Sequence, residues 1–367
     1  MKNQIRKIHK AFKYRLYPNS KQVQLIHKTI GCCRFVYNHF LTRRKEVYEE
    51  EGKTLTYNMC SAELTQLKGE LEWLKDVEHN ALQTSLDYLD KAYKRFFKEK
   101  KGYPKYKSKK KSSQSYTTRS GEGGIWVRGN HVKLPKLGVV RMAKSQDLEG
   151  RILRATVIYR PSGKYFVSIS CEVEAAPLPK STQSIGIDLG IKSFATLSNG
   201  EVIDNPKYLS KYQKQLSRWQ RRMSLRKKGS KNREKARKKV AQTYEKIANC
   251  RADFLHKLSS RLVNENQVIA IEDLAVKSMM QNKNLAKSIS DVSWAEFRTQ
   301  LECKAEWYGR DIKVVNRYEA TSQVCSECGS KNPAVKNLSI RVWACPFCNA
   351  EHDRDINAAK NILRLAI

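Results

Sequence analysis

The sequence predicts a multi-domain α/β protein, and three observations support this fold class. Residues 5–175 combine a basic strand, three amphipathic helical stripes and a β-rich stretch. Residues 184–315 alternate short apolar strands with long helical patterns, which is typical of an α/β sheet. Near the C-terminus, two CxxC pairs precede one more helical pattern and predict a small metal-binding insert. A chain of 367 residues is long enough for two or three domains.

The charge balance indicates the class of partner. Lys and Arg number 71 against 36 Asp and Glu, which gives a formal net charge of +35. This excess is larger than solubility requires and favours a polyanion, nucleic acid rather than a membrane surface. Neither a signal peptide nor an apolar run of 18 residues is present. We therefore expect a cytoplasmic, nucleoid-associated protein.

The first half of the chain predicts a strand, three helices and a β-rich region. Residues 5–17 alternate basic and apolar side chains, as a strand does. Apolar residues then recur at helical spacing over 26–40, 64–74 and 82–96, which predicts a small bundle. Residues 124–175 are β-rich, with turns at two Gly-containing sites. Together with the first strand they are expected to form a small barrel that the bundle interrupts.

Two basic segments are candidate nucleic-acid contacts. Residues 94–113 interleave Lys and Arg with Phe and Tyr, so they could contact phosphates and stack on bases, or form a solvated linker. Residues 207–261 hold 19 Lys/Arg and 3 acids, a net +16, in two helical patterns that break at Gly229-Ser230. The candidate contacts are Lys98, Tyr103, Lys105, Tyr106, Lys107, Arg221, Arg222, Lys227, Lys228, Lys231 and Arg233.

Two predicted strands end in an acidic residue. Asp188 follows the alternating run that begins at Ser184, and Asn199-Gly200 then predicts a hairpin turn. Glu272 follows four apolar residues, as expected at the carboxyl end of a buried central strand. Functional groups of α/β sheets gather at these ends. The order hairpin, basic helices, strand, helix, strand is consistent with a ribonuclease H-like sheet. The helix that lies between the last two strands of this order is expected to begin with a capping box at Ser293 and Glu296.

Four cysteines are grouped as Cys325-x2-Cys328 and Cys345-x2-Cys348, with sixteen residues between the pairs. Two such pairs at this separation predict one tetrahedral, structural Zn²⁺ site with four thiolates. A redox role is the alternative, but two matched pairs argue against it. Folding of this ribbon is expected to depend on the metal.

A third acid, Asp355, follows the ribbon in the first turn of a predicted helix whose apolar face includes Ile356, Ala359 and Leu363. An acid at this position could simply serve as a helix cap. Together with Asp188 and Glu272, however, it completes a set of oxygen ligands that could hold two Mg²⁺ or Mn²⁺ ions for phosphodiester hydrolysis.

The motifs resemble one family over nearly the whole chain. The resemblance includes FKYRLYPN with GCCRFVYN, KKGYPKYKSKKKS, GIDLGIKSFATLSNG, GSKNREKARKK with RADFLHKLSSRL, IAIEDL, TSQVCSECGS and CPFCNAEHDRDINAAKNI. This pattern resembles TnpB, the OrfB-type proteins encoded by transposons, which are similar to the RuvC nucleases of type V CRISPR effectors. One departure is Asn349, which stands where the family usually has Gly and tolerates the same left-handed turn.

The resemblance implies a domain order. An N-terminal wedge barrel (about 1–17 and 120–180) would be interrupted by a helical recognition bundle (about 18–119). A RuvC domain would follow over 181–367, with the zinc ribbon inserted at about 321–349.

The resemblance also implies an activity, with a guide RNA from the transposon end and target double-stranded DNA as partners. The chain would cleave DNA beside a short flanking motif, with Asp188, Glu272 and Asp355 as catalytic, Mg²⁺-binding acids; Asp353 is the weaker candidate for the third position. The alternatives are transposase-type strand transfer by the same acids, an RNA-guided DNA-binding regulator without cleavage, and a general basic RNA-binding protein with a zinc ribbon.

Overall fold

A computed structural model describes residues 5–120, 124–337 and 339–367. The chain divides into two compact units, one of residues 7–174 and one that contains residues 175–367. Each unit has a hydrophobic core of its own. None of the helices in these described residues is long and apolar enough to cross a membrane.

The strands and helices follow the predicted order. The strands are β1 (Arg6–Tyr17), β2 (Gln114–Arg119), β3 (Trp126–Arg128), β4 (His131–Leu134), β5 (Gly138–Ala143), β6 (Arg151–Tyr159), β7 (Tyr165–Ala175), β8 (Ser184–Leu189), β9 (Ser193–Leu197), β10 (Val202–Asp204), β11 (Val268–Glu272), β12 (Asp311–Val315), β13 (Val342–Ala344) and β14 (Glu351–Asp353). The α-helices are α1 (Ser20–Glu51), α2 (Tyr57–Glu70), α3 (His79–Glu99), α4 (Tyr208–Ser224), α5 (Lys231–Glu265), α6 (Val276–Met279), α7 (Ala286–Val292), α8 (Trp294–Tyr308) and α9 (Arg354–Ala366).

In the N-terminal unit, the predicted bundle forms from α1, α2 and α3. Asn19 begins α1 with a capping box, because its side chain accepts from the Gln22 amide while the Gln22 side chain accepts from the Asn19 amide. The helix ends at Gly52, whose φ of 66° suits glycine. The buried faces of the helices contain the periodic residues that the sequence indicates, including Ile30, Leu64 and Leu86.

The β-rich part of this unit is one seven-stranded sheet with the order β2-β6-β7-β1-β5-β4-β3. β1 pairs with β5 in antiparallel register, so the first strand joins the region of residues 124–175 as expected. The bundle is inserted in sequence between β1 and β2, and its helices α1 and α3 pack beside β2. The strand that opens the chain and the helices that follow it therefore share one core.

The C-terminal unit is built on a five-stranded sheet with the order β10-β9-β8-β11-β12. β8, β11 and β12 are parallel, whereas β9 and β10 return as antiparallel hairpin strands. The turn between β9 and β10 contains Gly200 at a φ of 92°, which explains the Asn-Gly signal in the sequence. In the parallel pair, Ile187 lies opposite Ile271. This register places the carboxyl ends of β8 and β11 at the same edge of the sheet.

Long helices cover this sheet, and two of them form the basic hairpin. α4 and α5 are joined by a turn with Gly229 at a φ of 85°, and the Ser230 side chain caps α5 by accepting from the Arg233 amide. The apolar residues of α5 and α8 pack on the sheet around the fully buried Phe194 and Phe297. The break predicted at residues 229–230 is confirmed.

One local prediction was wrong, and one was incomplete. Ser293 does not form a capping box: its φ is 59°, its side chain makes no cap, and its hydroxyl donates to the Ser290 carbonyl oxygen at 3.0 Å. The left-handed turn between α7 and α8 replaces the cap. In α9, Ile356 is only partly buried, whereas Asn357, Asn361 and Ile362 are buried. The buried face therefore includes two amides that a purely apolar periodicity does not reveal.

The docking of α9 on β8 depends on Gly186. A Cβ atom at this position would lie 2.1 Å from the Ala359 carbonyl oxygen and 2.9 Å from the Leu363 Cβ atom. Gly186→Ala is expected to lower the free energy of unfolding by about 1–3 kcal/mol or more, because the helix must move away from the strand. Gly69→Ala is the matched control, since nothing lies within 4 Å of a Cβ atom there. Thermal unfolding of both variants measures the difference; equal melting temperatures would contradict this account.

Candidate active site and four-cysteine centre

The three predicted acids line one cleft in the C-terminal unit. Asp188 and Glu272 each follow a residue of the Ile187–Ile271 pair, so the parallel register places them side by side. Asp355 reaches the same cleft from the first turn of α9, which packs on β8, β9 and β11. The cleft has a volume of about 230 Å³ and is also lined by Arg341 and Arg354. The fold therefore brings together acids that are up to 167 residues apart (355 − 188).

The electrostatics of the cleft show that its acids influence one another. Burial raises the pKa of Asp188 to about 7, and the nearby charges of Asp355 and Glu272 add to this increase. Arg354 and Arg341 act in the opposite direction. Burial also raises the pKa of Glu272, with a further contribution from Asp273. A cation in the cleft would favour the ionised form of both carboxyl groups.

Asp355 and Asp353 make different contacts. Arg341 Nη1 donates to both carboxylate oxygens of Asp355 at 3.0 Å. Asp353 instead caps α9, because its Oδ1 atom accepts from the amides of Asp355 at 2.9 Å and Ile356 at 3.0 Å. Asp355 therefore lines the cleft, whereas Asp353 is the N-cap residue of α9.

Sequence reasoning missed the arginines around these acids. Arg341 lies between the two CxxC pairs, and no local pattern connects it with an acid fourteen residues later. Asp273, next to Glu272, accepts from Arg298 Nη1 and from Arg317 Nε, both at 2.9 Å. These two cations come from α8 and from the turn after β12, so Asp273 ties three segments together beside the cleft.

The four cysteines form a compact group. In the described part of the chain, they are the one set of at least three metal-ligand side chains whose ligand atoms all lie within 4.8 Å of one another. Cys325 Sγ lies 3.6 Å from Cys348 Sγ, and Cys328 Sγ lies 3.6 Å from Cys345 Sγ. A tetrahedral ion with Zn–S bonds of about 2.3 Å requires sulfur atoms roughly 3.8 Å apart, so the geometry fits zinc.

Side chains beside the cysteines complete this centre. Asn349 has the left-handed φ of 60° that the sequence predicts after the second cysteine pair. The buried His352 places its Nε2 atom 3.0 Å from Cys325 Sγ. Its ring packs against Trp343, with the centroids 4.8 Å apart.

The cysteine ribbon is attached to the helix that contains Asp355. Asn357 Nδ2 and Asn361 Nδ2 donate to the Val324 carbonyl oxygen at 2.7 and 2.6 Å, and Asn357 Oδ1 accepts from the Ser326 amide at 2.8 Å. The Arg354 amide donates to the Arg341 carbonyl oxygen at 2.8 Å. These partly buried bonds hold the first cysteine knuckle against the N-terminal part of α9.

The predicted basic contacts on α4 and α5 are exposed, with one exception. Arg221, Arg222, Lys227, Lys228 and Lys231 face solvent. Arg233 does not: its Nη1 atom donates to the carbonyl oxygens of Met223 and Arg226, which stabilises the hairpin turn.

A groove of about 730 Å³ runs along this hairpin. It is lined by Trp219, Arg222, Arg226, Lys235, Lys238 and Lys239, and by no acid. Of the residues that line this groove, only Arg222 is among the nucleic-acid contacts predicted from the sequence.

The aromatic residues of the 94–113 segment pack on the bundle rather than forming a solvated linker. The Tyr103 hydroxyl lies 2.9 Å from that of Tyr93, and the Tyr106 hydroxyl lies 2.9 Å from Thr42 Oγ1. Lys107 Nζ lies 3.9 Å from the centroid of the Tyr37 ring. Lys98 and Lys105 are exposed. The docking fixes the backbone of this segment and leaves part of its charge on the surface.

Comparison with known proteins gives matches along most of the chain. Residues 168–283 match the OrfB_IS605 family model, described as “Probable transposase”, and residues 294–362 match the Cas12f1-like TNB domain. Residues 7–53 match the OrfB_IS605 helix-turn-helix model, although here they form β1 and the single helix α1.

A protein of Streptomyces pristinaespiralis named “Putative RNA-guided DNA endonuclease” is 41% identical over 98% of this chain and 90% of its own length. InsQ of Escherichia coli, which carries the same description, is 34% identical over 96% of this chain and 91% of its own length.

The fold also resembles a solved structure. The chain in “Cryo-EM structure of the Cas12f1-sgRNA-target DNA complex” matches with a TM-score of 0.52 at 16% identity, over 97% of this chain and 98% of that one. The fold is therefore similar to that of this Cas12f1 chain, with a mixed α/β unit and a cysteine ribbon. With the identity and coverage of its relatives, the chain belongs to the TnpB (OrfB, IS605-type) family.

The pKa of Asp188 predicts how stability depends on pH. Its value in the folded protein, about 7, exceeds the ordinary value of 3.8, so without divalent metal the folded state loses stability as pH rises through this window. The Asp188→Asn variant has no carboxyl group to ionise at this position, so it should not show this loss of stability. Its melting temperature should therefore equal that of the wild type near pH 4 and exceed it at pH 8. Asp204→Asn, an exposed acid of the same sheet, is the control and should show no such divergence. A constant offset at every pH would contradict the assignment.

Proposed function

We propose that the protein is an RNA-guided DNA endonuclease of the RuvC type that cleaves double-stranded DNA beside a short flanking motif. The observation that carries this proposal is the group of three carboxylates at one edge of the β8–β11 sheet. The names of the two full-length relatives support the same activity. Guide RNA and target DNA are accordingly the proposed partners.

Asp188, Glu272 and Asp355 are proposed to hold two divalent ions, Mg²⁺ or Mn²⁺. Their oxygen atoms are the ligands that such hard cations prefer. Burial, together with the charges of Asp355 and Glu272, raises the pKa of Asp188, and a bound cation would favour its ionised form. When bound, the ions would lower the pKa of the attacking water and stabilise the leaving 3′ oxygen.

The chain itself would orient the substrate in this cleft. Arg341 and Arg354 line the cleft and reduce the net negative charge that a phosphodiester meets there. The Arg341 bond to Asp355 also sets the direction of this carboxylate before any ligand enters. Asp273, through Arg298 and Arg317, holds the segment that follows Glu272.

The four cysteines are proposed to bind one structural Zn²⁺ ion. All four ligand positions are thiolates, so no position is left open for a substrate. The ion would hold the ribbon that carries Arg341 and that receives the Asn357 and Asn361 side chains. Its loss is therefore expected to affect the nuclease cleft indirectly.

The basic surfaces are proposed to hold guide RNA and the RNA–DNA heteroduplex. In such systems base pairing identifies the target, while the protein binds the backbone and reads a short flanking sequence. The groove along α4 and α5 supplies five cations without an acid. We also propose the domain assignment of the family: a wedge domain (about 1–17 and 120–180) with a recognition bundle, followed by the RuvC domain from residue 181.

Cleavage is expected to depend on each acid of the cleft. Asp188→Ala should abolish Mg²⁺-dependent cleavage of a plasmid with a guide-matched target beside a randomised flank, and should leave RNA-dependent binding intact. The measurement uses protein purified with its co-expressed RNA and sequences the surviving flanks. Asp204→Ala, with its exposed side chain outside the cleft, is the control and should cut like the wild type.

The products of this experiment separate the alternatives. Hydrolysed ends with a depleted flank motif support the endonuclease, whereas joined DNA ends would indicate strand transfer. RNA-dependent retention of matched plasmid without cutting by the wild type would indicate a regulator. Cutting by Asp188→Ala would contradict the assignment of the acids.

Removal of the zinc site should impair the cleft from a distance. Cys345→Ser is expected to lower zinc content, the melting temperature and cleavage together, because the ribbon supports α9 through Val324 and Arg341. Cys303→Ser is the matched control, an exposed free cysteine outside the ribbon. Metal analysis, thermal unfolding and the cleavage assay measure these effects. Full cleavage by a zinc-free variant would disprove the structural coupling.

A further inference from the structure

A small pocket of mixed polar and apolar lining lies in the N-terminal unit, between α1, α3 and the segment that leads into β2. Its volume is about 120 Å³. Its lining includes Arg34 and Lys107 together with several hydroxyl groups, among them those of Thr84, Ser112 and Thr117, and it contains no acid. A pocket that contains two cations and no acid has a charge that suits an oxyanion.

The two cations of this pocket have no anionic partner. In the described ranges, neither Lys107 nor Arg34 forms an ion pair, and the contacts of Lys107 Nζ are with the rings of Tyr37 at 3.9 Å and Tyr88 at 5.9 Å. Burial lowers the pKa of the Lys107 ammonium, and no carboxylate is among the groups that act against this shift. Lys107 is partly buried, and its ammonium lies against aromatic rings without a carboxylate partner, which leaves it able to bind an anion.

The backbone of Lys107 is held firmly in place. Its amide donates to Asn38 Oδ1 at 2.8 Å, and its carbonyl oxygen accepts from Asn38 Nδ2 at 2.9 Å. Tyr106, the preceding residue, is attached to Thr42 at 2.9 Å. Two neighbouring residues are therefore docked on α1, and the cation is delivered to the pocket in a fixed position.

Most hydroxyl groups around the cations are already bonded within the protein: Thr84 Oγ1 donates to the Asn80 carbonyl oxygen at 2.7 Å, and Ser85 Oγ donates to that of Ala81 at 3.1 Å. Thr117 Oγ1 lies 3.0 Å from the Tyr88 hydroxyl and 2.8 Å from Thr156 Oγ1, which links three side chains in one chain of hydrogen bonds. Ser112 Oγ accepts from the Ser108 amide at 2.9 Å and keeps its own proton for another acceptor. A tetrahedral oxyanion could accept from Ser112 Oγ and from both cations.

We propose that this pocket binds one phosphate group of a nucleic-acid backbone, with Lys107 and Arg34 as its cations. The inference rests on the proposed function, since that function brings guide RNA and target DNA to the protein. It goes beyond it by assigning an anchoring site in the N-terminal unit. The phosphate could come from guide RNA or from target DNA, and the experiment distinguishes these sources.

The test compares Lys107→Met with the wild type in two measurements. Methionine keeps the aliphatic body and removes the charge. Without nucleic acid, the melting temperature should stay the same or rise, because an unpaired buried ammonium is lost. Affinity is then measured against salt concentration, once for guide RNA and once for target DNA bound by the RNA complex of Asp188→Ala. In the arm that supplies the phosphate, the slope of log K against log salt should decrease by about 0.7–0.9.

Two controls make the result specific. Lys107→Arg keeps the charge and should restore the slope, whereas Lys53→Met, an exposed lysine beside Glu51 in the same unit, should change neither measurement. Unchanged slopes in both arms, with a lower melting temperature for Lys107→Met, would overturn the proposal and assign Lys107 to a structural cation–π contact. If the wild type binds neither nucleic acid, the proposed function itself fails and the phosphate site fails with it.

Discussion

The parallel register between β8 and β11 determines the candidate active site. Both strands are buried apolar runs, and each meets its first acid directly after the Ile187–Ile271 pair. Two carboxylates are thereby held side by side in a partly buried cleft, where each disfavours the charge of the other. The sheet thus places the acids where their own repulsion makes a cation favourable. Arg341 and Arg354 supply part of that positive charge from outside the sheet.

The third acid depends on packing rather than on strand pairing. α9 can approach β8 because Gly186 leaves room for the Ala359 carbonyl oxygen. The buried amides of Asn357 and Asn361 then bind the chain just before the first cysteine pair. Asp355 is consequently positioned by a helix that the sheet, on one side, and the cysteine ribbon, on the other, hold in place. This arrangement explains why a structural metal centre belongs beside the cleft without contributing a ligand to it.

The sequence predicted the features that depend on local chemistry. Strands ending in Asp188 and Glu272, the CxxC pairs and the break at Gly229 each have a short-range signal. It could not predict contacts that only tertiary packing creates. Asn357 and Asn361 have the composition of an exposed helix face, and Arg233 belongs to a basic run, yet each is bonded inside the fold. The capping box predicted at Ser293 does not form, because the connection between α7 and α8 requires a left-handed turn at this residue. This tertiary requirement outweighs the local capping pattern.

The distribution of the positive charge is more informative than its total. Several arginines are neutralised within the fold, as Arg298 and Arg317 are by Asp273. Other cations line sites that contain no acidic side chain, namely the groove along α4 and α5 and the pocket with Lys107. A protein that needed charge only for solubility would have no reason to desolvate an ammonium group or to line a groove with five like charges, because both cost folding free energy. A bound polyanion would offset this repulsion, which is why these two sites are the ones proposed to contact nucleic acid.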